Sequence, residues 1–283
     1  MTAQPELPQV TLGRGCRVSR LMIGSNQLSG FSHHSRQRDL EMMDYYTSAR
    51  ILELFRRCEE LGLRSVQLRG DRFLARLWRE HRNAGGRLAW VAQTASELAD
   101  QAAHVRQLAD WGASAVYLHG TWADNCWHAG RFEEVGELLK RLRDTGVAAG
   151  LGTHQPRVIE HVEERGWDLD FYMACLYNLS KGRKRVAAVE GLDASVEVYD
   201  PADREAMLAA VAATKRPCIV FKVLGAGRNA GSRADLRAAF EHAYARIKPT
   251  DAAVIGVFQK DGDELGEDVA IVREILSRGG PSG

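Results

Sequence analysis

Eight short apolar runs punctuate the chain, at residues 18–24, 65–68, 88–93, 115–118, 148–152, 170–175, 218–222 and 252–257. Each is continuous rather than alternating, the pattern of a strand buried on both faces of a parallel sheet. Between the runs, apolar residues recur at helical spacing and predict helices over 48–61, 72–83, 96–111, 131–145, 155–165, 201–214, 233–246 and 263–277. Eight strand–helix units in succession predict an α/β fold of one kind, a single (β/α)8 TIM barrel spanning residues 1–283 as one domain. Such barrels carry their chemistry at the C-terminal ends of the strands, so the search for a site contracts to about eight short segments.

The apolar alternation around Val10 and Leu12, followed by Gly13-Arg14-Gly15, predicts a small hairpin within residues 1–17 that plugs the barrel before its first strand. Two connections, residues 25–47 and 177–200, are longer than the usual structureless loop of about 12–15 residues. Both follow strands, so both belong over the catalytic face, and the first is expected to close over the mouth when ligand binds. The second carries a basic cluster, Lys181, Arg183, Lys184 and Arg185, which reads as a solvated lid. The closing GGPSG reads as a flexible tail.

With 283 residues, 45% hydrophobic and 27% charged, the chain suits one large globular domain. Its formal net charge of +1, without long runs of one sign, points away from nucleic acid and from anionic membrane surfaces. No apolar stretch approaches the roughly 20 residues that span a bilayer, and the N-terminus lacks the layout of a signal peptide. The five scattered cysteines form no CxxC pair and read as reduced thiols. These features together predict a cytoplasmic protein whose partner is a small-molecule substrate.

His119 and His154 stand at the ends of the fourth and fifth predicted strands, which in a barrel are neighbours about 4.8 Å apart. Inward-pointing imidazoles there can share a ligand, and His33 or His34 of the first loop can join them. Such a set binds a divalent metal, with His119, His154 and His33 as ligands, although no HExxH spacing and no strand-end carboxylate completes it. The alternative makes His119 a general acid and His154 a hydrogen-bonded wall residue. His81, His104, His161 and His242 fall in helical patterns and are expected on the surface.

Lys222 ends an apolar strand, where a lysine must find a partner such as Glu197 or Asp200, or have a lowered pKa. A Schiff-base role is a further option. Cys175 ends the preceding strand and reads as inert packing. Asn26, Arg69, Gln93 and Asn178 also lie at strand ends and are candidates for substrate binding, with His33 and His34. Tyr45, Tyr46 and Trp122 add aromatic surface near the mouth, together with Phe31 and Trp127. Gly225, Gly227 and Arg228 follow the seventh strand, where many barrels hold a phosphate, and would serve if a phosphate or nicotinamide ligand binds.

The segments VSRLMIGSNQLSG, AVYLHGTWAD, CIVFKVLGAGR and AVIGVFQKDGDELGEDVAIVREIL, with the stretch LLKRLRDTG through FYMACLYNL, resemble the aldo-keto reductases, as a divergent bacterial branch of them. The resemblance implies a TIM barrel and carries His119 over as the active-site histidine. It fails elsewhere. No tyrosine follows Gln67-Leu68-Arg69-Gly70-Asp71, and Gln93-Thr94 stands where the family has lysine. Without the tyrosine acid and the lysine that lowers its pKa, reduction by that route is lost. The favoured expectation is therefore a non-reductive enzyme, a lyase, isomerase or hydrolase, acting through His119 and His154. One alternative is an NAD(P)H-dependent oxidoreductase with a rebuilt proton relay; the other is a non-catalytic ligand-binding barrel.

Overall fold

The computed structural model describes residues 4–179 and 197–278. An antiparallel hairpin, β1 (Gln9–Gly13) and β2 (Cys16–Ser19), precedes the barrel. Eight parallel strands then close on themselves: β3 (Leu21–Ile23), β4 (Ser65–Arg69), β5 (Ala89–Gln93), β6 (Ala115–Leu118), β7 (Ala148–Thr153), β8 (Phe171–Cys175), β9 (Cys218–Phe221) and β10 (Ala252–Ile255). The barrel closes through β10, which pairs with both β9 and β3.

Helices cover the outside: α1 (Arg36–Tyr45), α2 (Ser48–Glu60), α3 (Arg72–Asn83), α4 (Gln101–Asp110), α5 (Gly120–His128), α6 (Glu133–Arg143), α7 (Pro156–Glu164), α8 (Pro201–Ala213), α9 (Arg233–Tyr244) and α10 (Glu264–Arg278). Their apolar faces pack on the outward-facing strand residues, such as Val66, Leu68, Val116, Leu118 and Val220. Among the described residues no helix is long and apolar enough to cross a membrane.

The barrel interior is a second cluster, with Met22, Val91, Tyr117, Phe171, Met173, Ile219 and Val254 facing inward. Val10, Leu12 and Val18 of the hairpin join it and bury their side chains against the barrel's lining. Apolar closure of that end leaves the opposite mouth to hold polar groups.

The first apolar run proves to be two strands, not one. Arg20 divides it: its guanidinium donates to the carbonyls of Asp251 (3.1 Å) and Lys248 (3.2 Å), which fixes the chain between hairpin and barrel. The long first loop is also not structureless. It contains a 3-10 turn (Gln27–Ser29) and α1, capped by the Ser35 hydroxyl accepting from Arg38 N at 3.2 Å. Helix α5 starts directly at the end of β6, where no separate helix is expected from spacing. Helix α4 starts five residues later than the pattern suggests, because His104 turns inward and accepts from Ala95 N at 3.0 Å. His81 and His104, expected on the surface, are both buried. The basic cluster at 181–185 and the terminal GGPSG lie outside the described residues.

Candidate active site

Side chains alternate across a strand, so the inward set is fixed by the register of the core. Tyr117 and Met173 face the interior, and two residues further on the same faces carry His119 and Cys175. On β7 the inward series Ala148, Gly150 and Gly152 leads to His154. Three chemically active side chains thus stand on successive strands at the C-terminal mouth.

A carboxylate organises them, and it comes from a helix rather than a strand end. Asp124, in the second turn of α5, is buried and turned back onto the end of β7. It accepts from the Thr153 hydroxyl at 2.6 Å, from His154 N at 3.0 Å and from His154 Nδ1 at 2.7 Å. Cys175 is the neighbour of His154 across the strands, since Thr153 of β7 pairs with Ala174 of β8, and it lies within electrostatic reach of the imidazole. Burial pushes His154 down, but the neighbouring Cys175 and Asp124 outweigh it and raise its pKa to about 10.

His119 has the opposite environment. Its backbone N–H donates to the buried Thr94 hydroxyl at 3.0 Å, while its Nδ1 is buried with no hydrogen-bond partner among the described residues. Burial first, then the positive charges of His154 and Arg69, lower its pKa to about 4. At neutral pH the pair is therefore one imidazolium and one neutral imidazole.

Beside the histidines a cavity of about 700 Å³ opens over β9, β10 and β3. Phe221 lines it and meets the His154 ring edge-on, centroids 5.9 Å apart. Gln93 lines it too and accepts from the Tyr117 hydroxyl at 2.8 Å. Lys222 projects into the cavity from a backbone with φ of +65°, a left-handed conformation costly for a side chain larger than glycine. Its amine donates to the Tyr199 hydroxyl (3.3 Å), which donates to Glu197 (2.9 Å); Glu197 also accepts from His33 Nδ1 (2.9 Å). Asn26 completes the chain by donating to His33 Nε2 at 2.9 Å. Burial lowers Lys222 to about 8 despite Cys175 and Glu197, which favour its charge. Glu197 is held down at about 2, its burial outweighed by His33, Lys222 and Tyr199.

The sequence matches no protein-family model and no curated protein. Solved structures share its fold at low identity. A mandelate oxidase point mutant with a C4a-OH-FMN adduct is 14% identical, with a TM-score of 0.51, covering 97% of this chain and 79% of that one. The dihydropteroate synthase of Yersinia pestis is 13% identical, with a TM-score of 0.52, covering 95% of this chain and 98% of that one. Mandelate oxidase with (S)-2-phenylpropionate is 12% identical, with a TM-score of 0.51 and coverage of 98% and 80%. At such identities the likeness establishes a TIM barrel and nothing finer, and the aldo-keto reductase subclass is not among what it shows.

The other candidate residues divide by where the barrel places them. Asn26, His33, His34, Gln93, Lys222 and Gly227 line the cavity. Arg69 ends β4 near His119 and is ion-paired with Glu97 and with Asp71 (3.5 Å). Tyr45 and Tyr46 turn away from the cavity, donating to the carbonyls of Gln259 and Val257, both at 2.6 Å, with their rings against Phe258. Trp122 packs on the outer core, and the Asn178 backbone is held by Asp203 (3.3 Å).

Gly225, Gly227 and Arg228 form a 3-10 turn whose amides donate to Lys222 O, Leu224 O and Gly225 O, so those amides are not free to cradle a phosphate. The Arg228 guanidinium stacks on Tyr199, 4.0 Å from the ring centre. The metal trio of His33, His119 and His154 is not assembled. Asn26 and Glu197 take both nitrogens of His33, Asp124 takes His154 Nδ1, and no group of three metal-ligating side chains converges among the described residues.

Asp124 and Tyr199 carry much of this site, and sequence reasoning selects neither. It takes Cys175 for packing and names Glu197 only as a partner for Lys222. The inward parity of β8 is the available signal for Cys175. Asp124 carries none, because its approach to β7 depends on where α5 begins.

Proposed function

We propose that this protein is a non-reductive enzyme, a lyase, isomerase or hydrolase, that moves protons on a small polar metabolite at the barrel mouth. One observation carries the reading: neighbouring strand ends hold two imidazoles whose surroundings drive their proton affinities apart. Opposed shifts of this kind are how one site supplies an acid and a base at the same pH. His154, held charged by Asp124, donates; neutral His119, with an unpartnered Nδ1, accepts. Lys222 presents a third exchangeable proton to the cavity, and its lowered pKa suits proton transfer near neutrality.

The reductase alternative is disfavoured by the same surroundings. Gln93 stands where the resemblance calls for lysine, and the nearby Tyr117 hydroxyl is engaged by it. The protein is expected to leave reduced nicotinamide cofactor unoxidised in the presence of simple aldehydes. Steady cofactor oxidation in a spectrophotometric assay would restore that alternative.

The acid–base reading is tested by NMR titration of the imidazoles. His154 should stay protonated through neutrality and titrate near pH 10, and His119 should titrate near pH 4. If both titrate near pH 6.5, the ordinary value for histidine, the pair has no division of roles. With a turned-over metabolite in hand, each alanine variant should lose roughly 10²–10⁴-fold in rate.

A further inference from the structure

We propose that Cys175 is a nucleophile, with His154 and Asp124 as its partners, and that the substrate class is a small ester, thioester or activated amide whose acyl carbon the thiol attacks. The inference rests on the mouth being an active site and gives that site a covalent step.

The geometry is a three-membered relay. Asp124 grips His154 at Nδ1 (2.7 Å) and again at the backbone N–H (3.0 Å), and Cys175 stands next to His154, one residue beyond the Thr153–Ala174 pair that joins β7 to β8. A nucleophile, a base in contact with it and a third group orienting the base form the constellation of covalent acyl transfer. The members come from α5, β7 and β8, so packing of rigid elements, not a flexible loop, sets their positions.

The other cysteines provide the contrast. All five are buried and unbridged. Burial drives Cys16 and Cys218 up to about 12 and also raises Cys58 and Cys126, as expected of inert thiols. Cys175 alone has a histidine–carboxylate pair on it, with the Lys222 amine also within electrostatic reach.

The steps balance without any further reagent except water. The Cys175 sulfur bonds to the acyl carbon as the bond to the leaving oxygen, sulfur or nitrogen breaks, and His154 gives that atom its proton. Water then attacks the thioester. His119 takes a proton from that water through its unpartnered Nδ1, the thiolate leaves as the acid product is released, and His119 passes its proton through water back to His154, which restores the starting state. Phe221, which lines the cavity and touches the His154 ring, is the side chain at which the substrate would enter.

The test treats the full-length protein with iodoacetamide and, separately, with p-nitrophenyl acetate, and locates the modified residue by peptide mass spectrometry. Cys175 should be alkylated faster than each of the other four thiols at neutral pH, as a nucleophile beside a histidine–carboxylate pair would be. It should also acquire and then shed one acetyl group, with release of p-nitrophenolate. His154→Ala and Asp124→Asn should slow both reactions, and Phe221→Ala should speed alkylation by widening the entry. Circular dichroism checks that each variant folds, and the wild-type comparison among its own five cysteines needs no variant. Labelling of Cys175 no faster than that of Cys16, Cys58, Cys126 and Cys218 would overturn the proposal. So would a rate in a folded His154→Ala variant equal to that of the wild type. The imidazole titrations are a separate measurement, so histidines that titrate far apart beside a slow thiol would separate failure of the covalent step from failure of the acid–base reading.

Discussion

Asp268 is a buried carboxyl that lines the cavity at 3% exposure, and burial with Glu264 and Glu267 nearby raises its pKa to about 8. A carboxyl raised above its ordinary value near 4 favours the fold while neutral. Its contribution is complete below that ordinary value and is lost as pH rises through about 8. Asp268→Asn keeps the shape and removes the titration. The variant should gain stability over the wild type between about pH 5 and about pH 9 in parallel denaturant melts. A difference independent of pH would mean that Asp268 is ionised throughout. His119 and His154 belong to the same scale. Their positions at strand ends are legible from the apolar runs, whereas their charges are not, because Arg69, Asp124 and Cys175 set them through space.

Elements fix how closely the barrel can pack around that site. Gly150 lies in the middle of β7, and a Cβ added there would run into the Phe171 ring of β8. Gly150→Ala should therefore destabilise the protein by about 1–3 kcal/mol, the usual cost of overpacking, seen as a lower denaturation midpoint. No change would mean that the ring moves aside freely. The same scale explains where pattern reading stops. Helix α3 occupies the span its periodicity predicts, and β6 likewise. Helix α1 escapes notice because its residues, Arg36 to Tyr45, bury only Met42, so no apolar stripe marks it. Helix α5 escapes because it follows β6 without a loop.

The molecule as a whole is a barrel whose N-terminal hairpin packs on the interior at one end and whose cavity lies at the other. Leu12 is 1% exposed and packs with the barrel's interior cluster. Leu12→Ala should cost about 2–5 kcal/mol, as cavity-forming substitutions in a core do. Because Leu12 lies among the closed-end residues, imidazole titrations at the mouth should be unchanged in that variant. A shift of His119 or His154 with Leu12→Ala would show that the closed end and the mouth are coupled.

The sequence by itself determined the eight barrel strands and the helices between them apart from α1 and α5, their closure into a TIM barrel, and the presence of His119, His154 and Lys222 at strand ends. These follow from local periodicity, which a chain carries in every short window. Tertiary structure alone decided what those residues are paired with. Asp124, His154 and Cys175 meet across about fifty residues of chain, and His33, Glu197 and Lys222 across nearly two hundred. No short window contains such contacts. They exist because closing eight strands into a ring brings distant strand ends to one mouth, where low solvent access makes each neighbour's charge count.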